Sequence, residues 1–412
     1  MADVRPFKAV RPDARYAPLV AALPYDVMNR EEAFEMTRDK PYSFLHVDKA
    51  EIDLDPSVDP YDARVYEKAN ENLKKLIADE ILIQDKTERY YIYRLTMDSR
   101  SQYGLVACAS VDEYIDGKIK KHELTLEAKE QDRIRHVDML DANTGPIFLA
   151  YRQREEIDAI VGDWTASNAS VYDFTAEDGI GHTVWVVDDA AMIEKIRAAF
   201  DKVPELYIAD GHHRNASAVK VALKRRQDAP SYDKNAEFNF YLAVIFPANQ
   251  LKILSYNRAV KDLNGLTEEA FFEKVREKFS VSDGSRTPPG ELHTFGMYIG
   301  GRWYKLSAKN AAIPDDPVGS LDVSILQNEL LGPVLGIDDP RTNKRIGFVG
   351  GIRGLKELEK MVDSGGCAVA FAMYPTSLTE LMDVADSGKI MPPKSTWFEP
   401  KLRSGLFIHK LT

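Results

Sequence analysis

Short apolar runs of strand character alternate with stretches of helical period along this chain, and that alternation predicts a mixed α/β fold. Two further observations agree. A length of 412 residues is enough for two or three domains with cores of their own. The stretch 206–226, LYIADGHHRNASAVKVALKRR, reads as a strand, a turn and a helix in direct succession.

Residues 1–60 are rich in proline and aromatics, and read as short strands and ordered loops with a helix near 30–38. Asp26 of the LPYD turn is read there as a packing element. Helix 61–78 follows, with Val65, Ala69, Leu73, Leu76 and Ile77 on one face. Strands 90–97 and 103–111 pair antiparallel around 98–101. The segment 120–140, KKHELTLEAKEQDRIRHVDML, is helical after Thr125, and most of its charges are read as a solvated face. His122 and Glu123 precede that helix, where a scaffold commonly displays functional groups. A turn at 143–146 leads into strand 147–151, and strand 183–187 into helix 189–202.

Beyond 226 come a buried strand at 240–246 and an extended piece at 251–260, in which Asn257 and Arg258 are candidate anion ligands. Helix 267–279 precedes a Gly/Pro-rich boundary at 282–292. A hairpin at 294–306 turns over Gly300-Gly301, a favoured tight-turn pair. Helices at 321–331, 354–362 and 377–386 then alternate with a strand at 367–373. Prolines keep the tail 390–402 extended, and Lys394, Ser395 and Thr396 offer one charge and two hydroxyls. The resulting division is an N-terminal extension at 1–88, a catalytic core at 89–281 and a C-terminal α/β domain at 293–412 that closes a cleft.

Composition narrows the function classes. A net charge of -11 argues against a general nucleic-acid binder. Cys108 and Cys367 stand alone, which leaves no thiolate zinc site and fits a reducing cytoplasm. The N-terminus lacks the apolar core of a signal peptide, and the longest apolar run, 241–246, is too short to span a bilayer. Oligomeric state leaves no mark.

The chemistry concentrates in Asp210-Gly211-His212-His213-Arg214. Gly211 suits a sharp corner, and the helix start behind it offers free N–H groups and the positive end of a dipole. An acid, two imidazoles and a guanidinium at an anion-binding corner point to phosphate chemistry.

IADGHHR followed by a helix resembles the motif of free L-serine kinases of the ParB/sulfiredoxin-like superfamily. Lys121-His122-Glu123 is similar to the segment that carries their catalytic glutamate, and Pro393-Lys394-Ser395-Thr396 to their C-terminal phosphate and substrate motif. Over nearly its full length, through RPFKAV, HELT, ANTGP and MPPKST, the chain looks like a bacterial family of unknown function, some members of which phosphorylate free serine with pyrophosphate. The resemblance implies a ParB/sulfiredoxin-like core, L-serine and pyrophosphate as substrates, and Mg²⁺. It implies Glu123 as base. It gives Asp210 the task of orienting a histidine or holding Mg²⁺ through water, and His213 a catalytic part. His122, Gly211, His212, Arg214, Asn257, Arg258, Lys394, Ser395 and Thr396 would hold phosphate or serine. Relative to the smaller kinases the first hundred residues are extra, the stretch between the Glu and DGHHR motifs is longer, and Trp397 follows Lys-Ser-Thr where a polar residue is expected. No P-loop or protein-kinase motif set is present. The rival readings are a metal-dependent phosphoserine phosphohydrolase using Asp210, His212, His213, His122 and Glu123, a nucleotide-dependent serine kinase, and a ParB-like nucleic-acid-binding regulator.

Overall fold

The computed structural model describes residues 2–229 and 231–412. They form a mixed α/β chain that divides into two compact units. One runs through Leu251 and resumes at Pro400–Thr412; the other is Lys252–Glu399.

The first unit is built on a sheet of nine strands. Eight run in the order Ile119–Lys120, Leu206–Asp210, Ile147–Tyr151, Phe240–Pro247, Arg100–Ser110, Tyr90–Met97, Gly181–Val187 and Tyr172–Thr175, and Val4–Arg5 also pairs with Arg100–Ser110. The central hairpin turns through Asp98 and Ser99 at φ 50° and 65°, the left-handed pair that matches the twist of the flanking strands. Tyr90, Ile92, Leu105, Ala107, Ile147, Leu149, Ile208 and Ala243 enter one core with helices Glu155–Ser167, Ala190–Phe200 and His212–Asp228. The other face is covered as well: Tyr91 meets Phe407 with ring centroids 5.2 Å apart and Phe7 at 5.6 Å. Burial on both faces is why these strands read as continuous apolar runs.

A second cluster forms around helix Ala63–Ala78, which Asp62 caps through the N–H of Arg64. Val65, Ala69, Leu73 and Leu76 are buried there, whereas Ile77 leaves the expected stripe, 37% exposed. Helix Glu155–Ser167 and edge strand Tyr172–Thr175 were not expected. Gly162 and several β-branched residues weaken the helical signal of the first, and the second is too short to show a period.

The second unit holds a six-stranded antiparallel sheet in the order Phe279–Asp283, Arg302–Ala308, Thr294–Ile299, Val369–Met373, Tyr256–Val260 and Ile346–Gly350. The stretch 282–292, expected as a boundary, instead joins two strands of this one sheet. The division falls at 251/252 and 399/400 instead. Turn composition marks a connection and is silent on whether it crosses between cores. Residues 1–88 likewise belong to the same unit as the sheet rather than standing apart. At the neck of the second unit, Ile253–Leu254 pairs antiparallel with Trp397–Phe398.

Candidate active site

Strand register explains how two distant motifs meet. Ile119–Lys120 pairs in parallel with Leu206–Asp210, with Lys120 opposite Tyr207. Both chains then leave the sheet at the same end, so His122 and Glu123 arrive beside Asp210 and the start of helix His212–Asp228. The strand carries an irregularity between Ile208 and Asp210, which re-aims its last residue. Gly211 follows at φ 92°, a conformation costly for any residue with a Cβ. A Cβ there would also meet the Arg214 guanidinium at 3.2 Å.

The imidazoles are deeply placed. His122 is 2% and His212 6% exposed, their rings edge to face with centroids 4.5 Å apart. Burial lowers His122 to about 4, against a weaker opposing pull from Asp210 and the Ile208 backbone, and it drives His212 well below the ordinary histidine value. Both are neutral at pH 7. Nδ1 of His212 lies 3.8 Å from Oε2 of Glu123, whose side chain is 37% exposed. Both ring nitrogens of His122 and Nε2 of His212 are buried without a well-formed hydrogen bond. One ligand atom from each of His122, Glu123 and His212 falls within 4.8 Å of the other two.

His213 behaves differently. Its Nε2 accepts a hydrogen bond from the N–H of Leu126 at 3.0 Å, so that nitrogen carries no proton and the ring pins the end of the loop that bears Glu123. It is a positioning residue in this arrangement.

The positive charge at the corner therefore comes from Arg214 and Lys401 rather than from the imidazoles. Arg214 Nη1 donates to the Pro146 carbonyl at 2.6 Å and packs beside Gly145, which gives the ANTGP turn its place. Lys401 Nζ lies 2.9 Å from Oδ2 of Asp210, while Oδ1 accepts the N–H of Gly211. Burial would raise the Asp210 carboxyl, but Lys401 and Arg214 outweigh it and hold the group well below the usual carboxylate range. With an ammonium on one oxygen and an N–H on the other, Asp210 is poorly suited to take Mg²⁺. Lys401 escaped the sequence reading: it lies 191 positions from its partner, and no local pattern marks it.

The run 120–140 is less solvated than expected. Glu130, Arg133 and His136 of helix Glu127–Leu140 are buried, and Arg133 stacks over the Tyr25 ring at 4.0 Å. Tyr25 of the LPYD turn thus packs, whereas Asp26, read as a packing element, is exposed because the turn directs its neighbour's ring inward instead. Tyr25, Asp48, Arg133, Thr144 and Arg214 line a cavity of about 30 Å³, room for about one water.

The remaining predicted residues lie in the second unit. Asn257 is fully buried, its Oδ1 accepting from the N–H of Met373 at 3.0 Å and its Nδ2 unpaired. Arg258, 3% exposed, donates to the Lys394 carbonyl at 3.1 Å and to the Tyr256 carbonyl, and lies 5.3 Å from the Phe348 ring centroid. Burial lowers it to about 10. Lys394 sits at φ 59° with its Nζ 5.7 Å from the Tyr256 ring centroid. Ser395 donates its hydroxyl to the Pro392 carbonyl at 2.6 Å, which commits that group to shaping the loop, and Thr396 is half-buried beside it. Trp397 packs on Tyr256, ring centroids 5.1 Å apart.

Residues 4–324 match a protein family described as a protein of unknown function, DUF1015. The chain belongs to that family. DUF1015 membership accords with the full-length resemblance seen in RPFKAV, HELT and ANTGP. No curated protein matches the chain. Solved structures similar to it include a free serine kinase variant in complex with AMP, at 14% identity and TM-score 0.37, covering 73% of this chain and 91% of that one. A conserved hypothetical protein from Pyrococcus furiosus is 15% identical at TM-score 0.36, covering 75% and 95%. SbnI with a C-terminal truncation, from Staphylococcus aureus, is 11% identical at TM-score 0.37, covering 74% and 86%. Among the described residues no helix is long and apolar enough to cross a membrane.

Proposed function

We propose that this protein transfers a phosphoryl group from pyrophosphate to the hydroxyl of free L-serine. The observation that carries the reading is the meeting of Glu123 with the Asp210–Arg214 corner, two motifs far apart in sequence that the kinase resemblance pairs. Glu123 is a half-exposed carboxylate whose Oε2 lies 3.8 Å from Nδ1 of the neutral His212 imidazole, within reach of solvent and of a substrate hydroxyl, as a base must be. The serine oxygen attacks one phosphorus of pyrophosphate and the bridging P–O bond breaks. Glu123 takes the hydroxyl proton and passes it on, and hydrogen phosphate leaves. Arg214 and the N–H groups at the start of helix His212–Asp228 face the charge that develops on the phosphoryl oxygens. Lys401 keeps Asp210 ionised and in place. Mg²⁺, which the resemblance implies, would offset the negative charge of pyrophosphate here, and Asp210, already engaged by Lys401 and the Gly211 N–H, would at most hold it through water. Lys394 and Thr396 are assigned here to phosphate or serine by motif.

The experiment is phosphoserine formation from L-serine and Mg²⁺, with pyrophosphate, ADP and ATP supplied separately. Product with pyrophosphate alone is expected. Product only with a nucleotide would keep the kinase and replace the donor. Hydrolysis of phosphoserine without any forward product would overturn the reading in favour of a phosphohydrolase.

A further inference from the structure

We propose that His122, Glu123 and His212 form a binding site for a borderline-soft divalent ion such as Zn²⁺ or Co²⁺, distinct from any Mg²⁺ that accompanies a phosphate donor. The proposal starts from what is unsatisfied. Three ring nitrogens on two histidines that are 2% and 6% exposed have no well-formed hydrogen bond. Buried polar nitrogens are costly to leave unpaired, and most in folded proteins are paired. An apolar core would not choose two imidazoles edge to face at 4.5 Å; a metal would.

The donor set selects the ion. Two imidazoles and one carboxylate suit Zn²⁺, Co²⁺ or Mn²⁺, whereas Mg²⁺ prefers oxygen and gives up water reluctantly. Three protein ligands leave a coordination position open, the pattern of reactive rather than structural zinc sites. The ligand atoms lie within 4.8 Å of one another, and the His212–Glu123 pair is at 3.8 Å. Ligands on a tetrahedral ion with bonds of about 2.0–2.1 Å stand about 3.4 Å apart, so the set closes by about an ångström. Glu123 is the most exposed of the three and is carried on a loop rather than on a strand or helix, so the closure is assigned to its side chain.

One consequence rests on the kinase reading: an ion at this site takes the carboxylate assigned as base. Zn²⁺ would then inhibit serine phosphorylation at concentrations far below those at which Mg²⁺ supports it.

The test titrates the chelator-treated full chain with Co²⁺, read by visible absorption and calorimetry in the presence of millimolar Mg²⁺. One ion per chain is expected, with a d–d band of four- or five-coordinate cobalt. Binding should weaken at least 100-fold in His122→Ala and His212→Ala. Glu123→Gln, a near-isosteric change at a half-exposed loop position, should weaken it about tenfold and serves if the histidine variants fail to fold. Wild-type binding no tighter than that of Glu123→Gln, or binding that Mg²⁺ displaces at equal concentration, would overturn the proposal. None of these readouts uses phosphoryl transfer, so failure of the kinase reading and failure of the metal site remain distinguishable.

Discussion

The two units handle buried charge in opposite ways. At the corner of the first, Asp210 has Lys401 at 2.9 Å, and the histidines avoid charge by staying neutral. In the second, Arg258 is buried against two carbonyls and a Phe348 ring, and among the described residues no carboxylate pairs with it. In the first arrangement the Asp210 charge is balanced before any ligand arrives, and what is left wanting is partners for three neutral ring nitrogens. In the second the Arg258 charge is not balanced. A buried guanidinium without a counter-ion is destabilising in itself, and an anion would relieve it. Preorganised chemistry and an unmet demand for negative charge therefore sit in different parts of the chain.

The largest test of that contrast is Glu123→Gln. Loss of a general base costs about 10²–10⁴-fold in rate, so kcat should fall about a thousandfold while thermal unfolding is unchanged. A fall of less than tenfold would remove Glu123 from the chemistry.

Acid should pull the two units apart. In the first, His182 is fully buried between the Tyr93 hydroxyl at 2.6 Å and Arg403 at 3.2 Å, and burial lowers it to about 3. The unfolded chain binds that proton near 6.5, so stability is lost as pH falls below 6.5, by about 2 kcal/mol at pH 5. In the second, burial pushes Asp322 up to about 6 beside His293. Here the folded state binds the proton first, so stability rises as pH falls through 6. Hydrogen exchange at pH 7 and pH 5 should show protection falling in Gly181–Val187 while it holds or rises in Asp322–Leu326. Parallel loss in both segments would contradict the contrast.

The variant with the smallest expected effect on stability sharpens the comparison most. Arg258→Met removes the uncompensated charge and keeps most of the volume. The melting temperature should hold or rise by a few degrees, while the apparent affinity for pyrophosphate falls about 10- to 100-fold, the worth of about 1.4–2.8 kcal/mol. A drop in stability with unchanged donor use would make Arg258 purely structural.

Much of this was readable from the chain. The DGHHR corner announced its strand, its left-handed glycine and its helix, because each is a local choice of residue. The helix at 61–78 showed its period in the same way, while the caps Asp62 and, for the helix at 30–38, Asn29 emerge only in the structure. The helix behind the corner was placed correctly, and its 3.6-residue period puts Ala216 and Val219 inward and Lys220 and Lys224 outward as observed; Leu223, 38% exposed, departs from that stripe, while Asn215 and Ser217 are buried because close packing there favours small side chains. The neutrality of His122 and His212 could not be read, since it follows from burial that only the assembled sheet produces. Lys401 was hidden for the same reason. The division at 251/252 lies inside a run, 251–260, whose extended character continues unbroken across it.

That division has a consequence for synthesis. The chain leaves the first unit at Leu251, builds the whole of Lys252–Glu399, and only then supplies Pro400–Thr412 to the first unit. Lys401, Arg403 and Phe407 thus emerge from the ribosome after residues 1–251 of their own unit and after the whole of the other unit. Until they dock, Asp210 has no ammonium, His182 has no guanidinium and Tyr91 lacks its Phe407 neighbour. A nascent chain can form the sheet early, but its corner stays electrostatically unfinished. Completion of the corner therefore follows synthesis of the intervening unit.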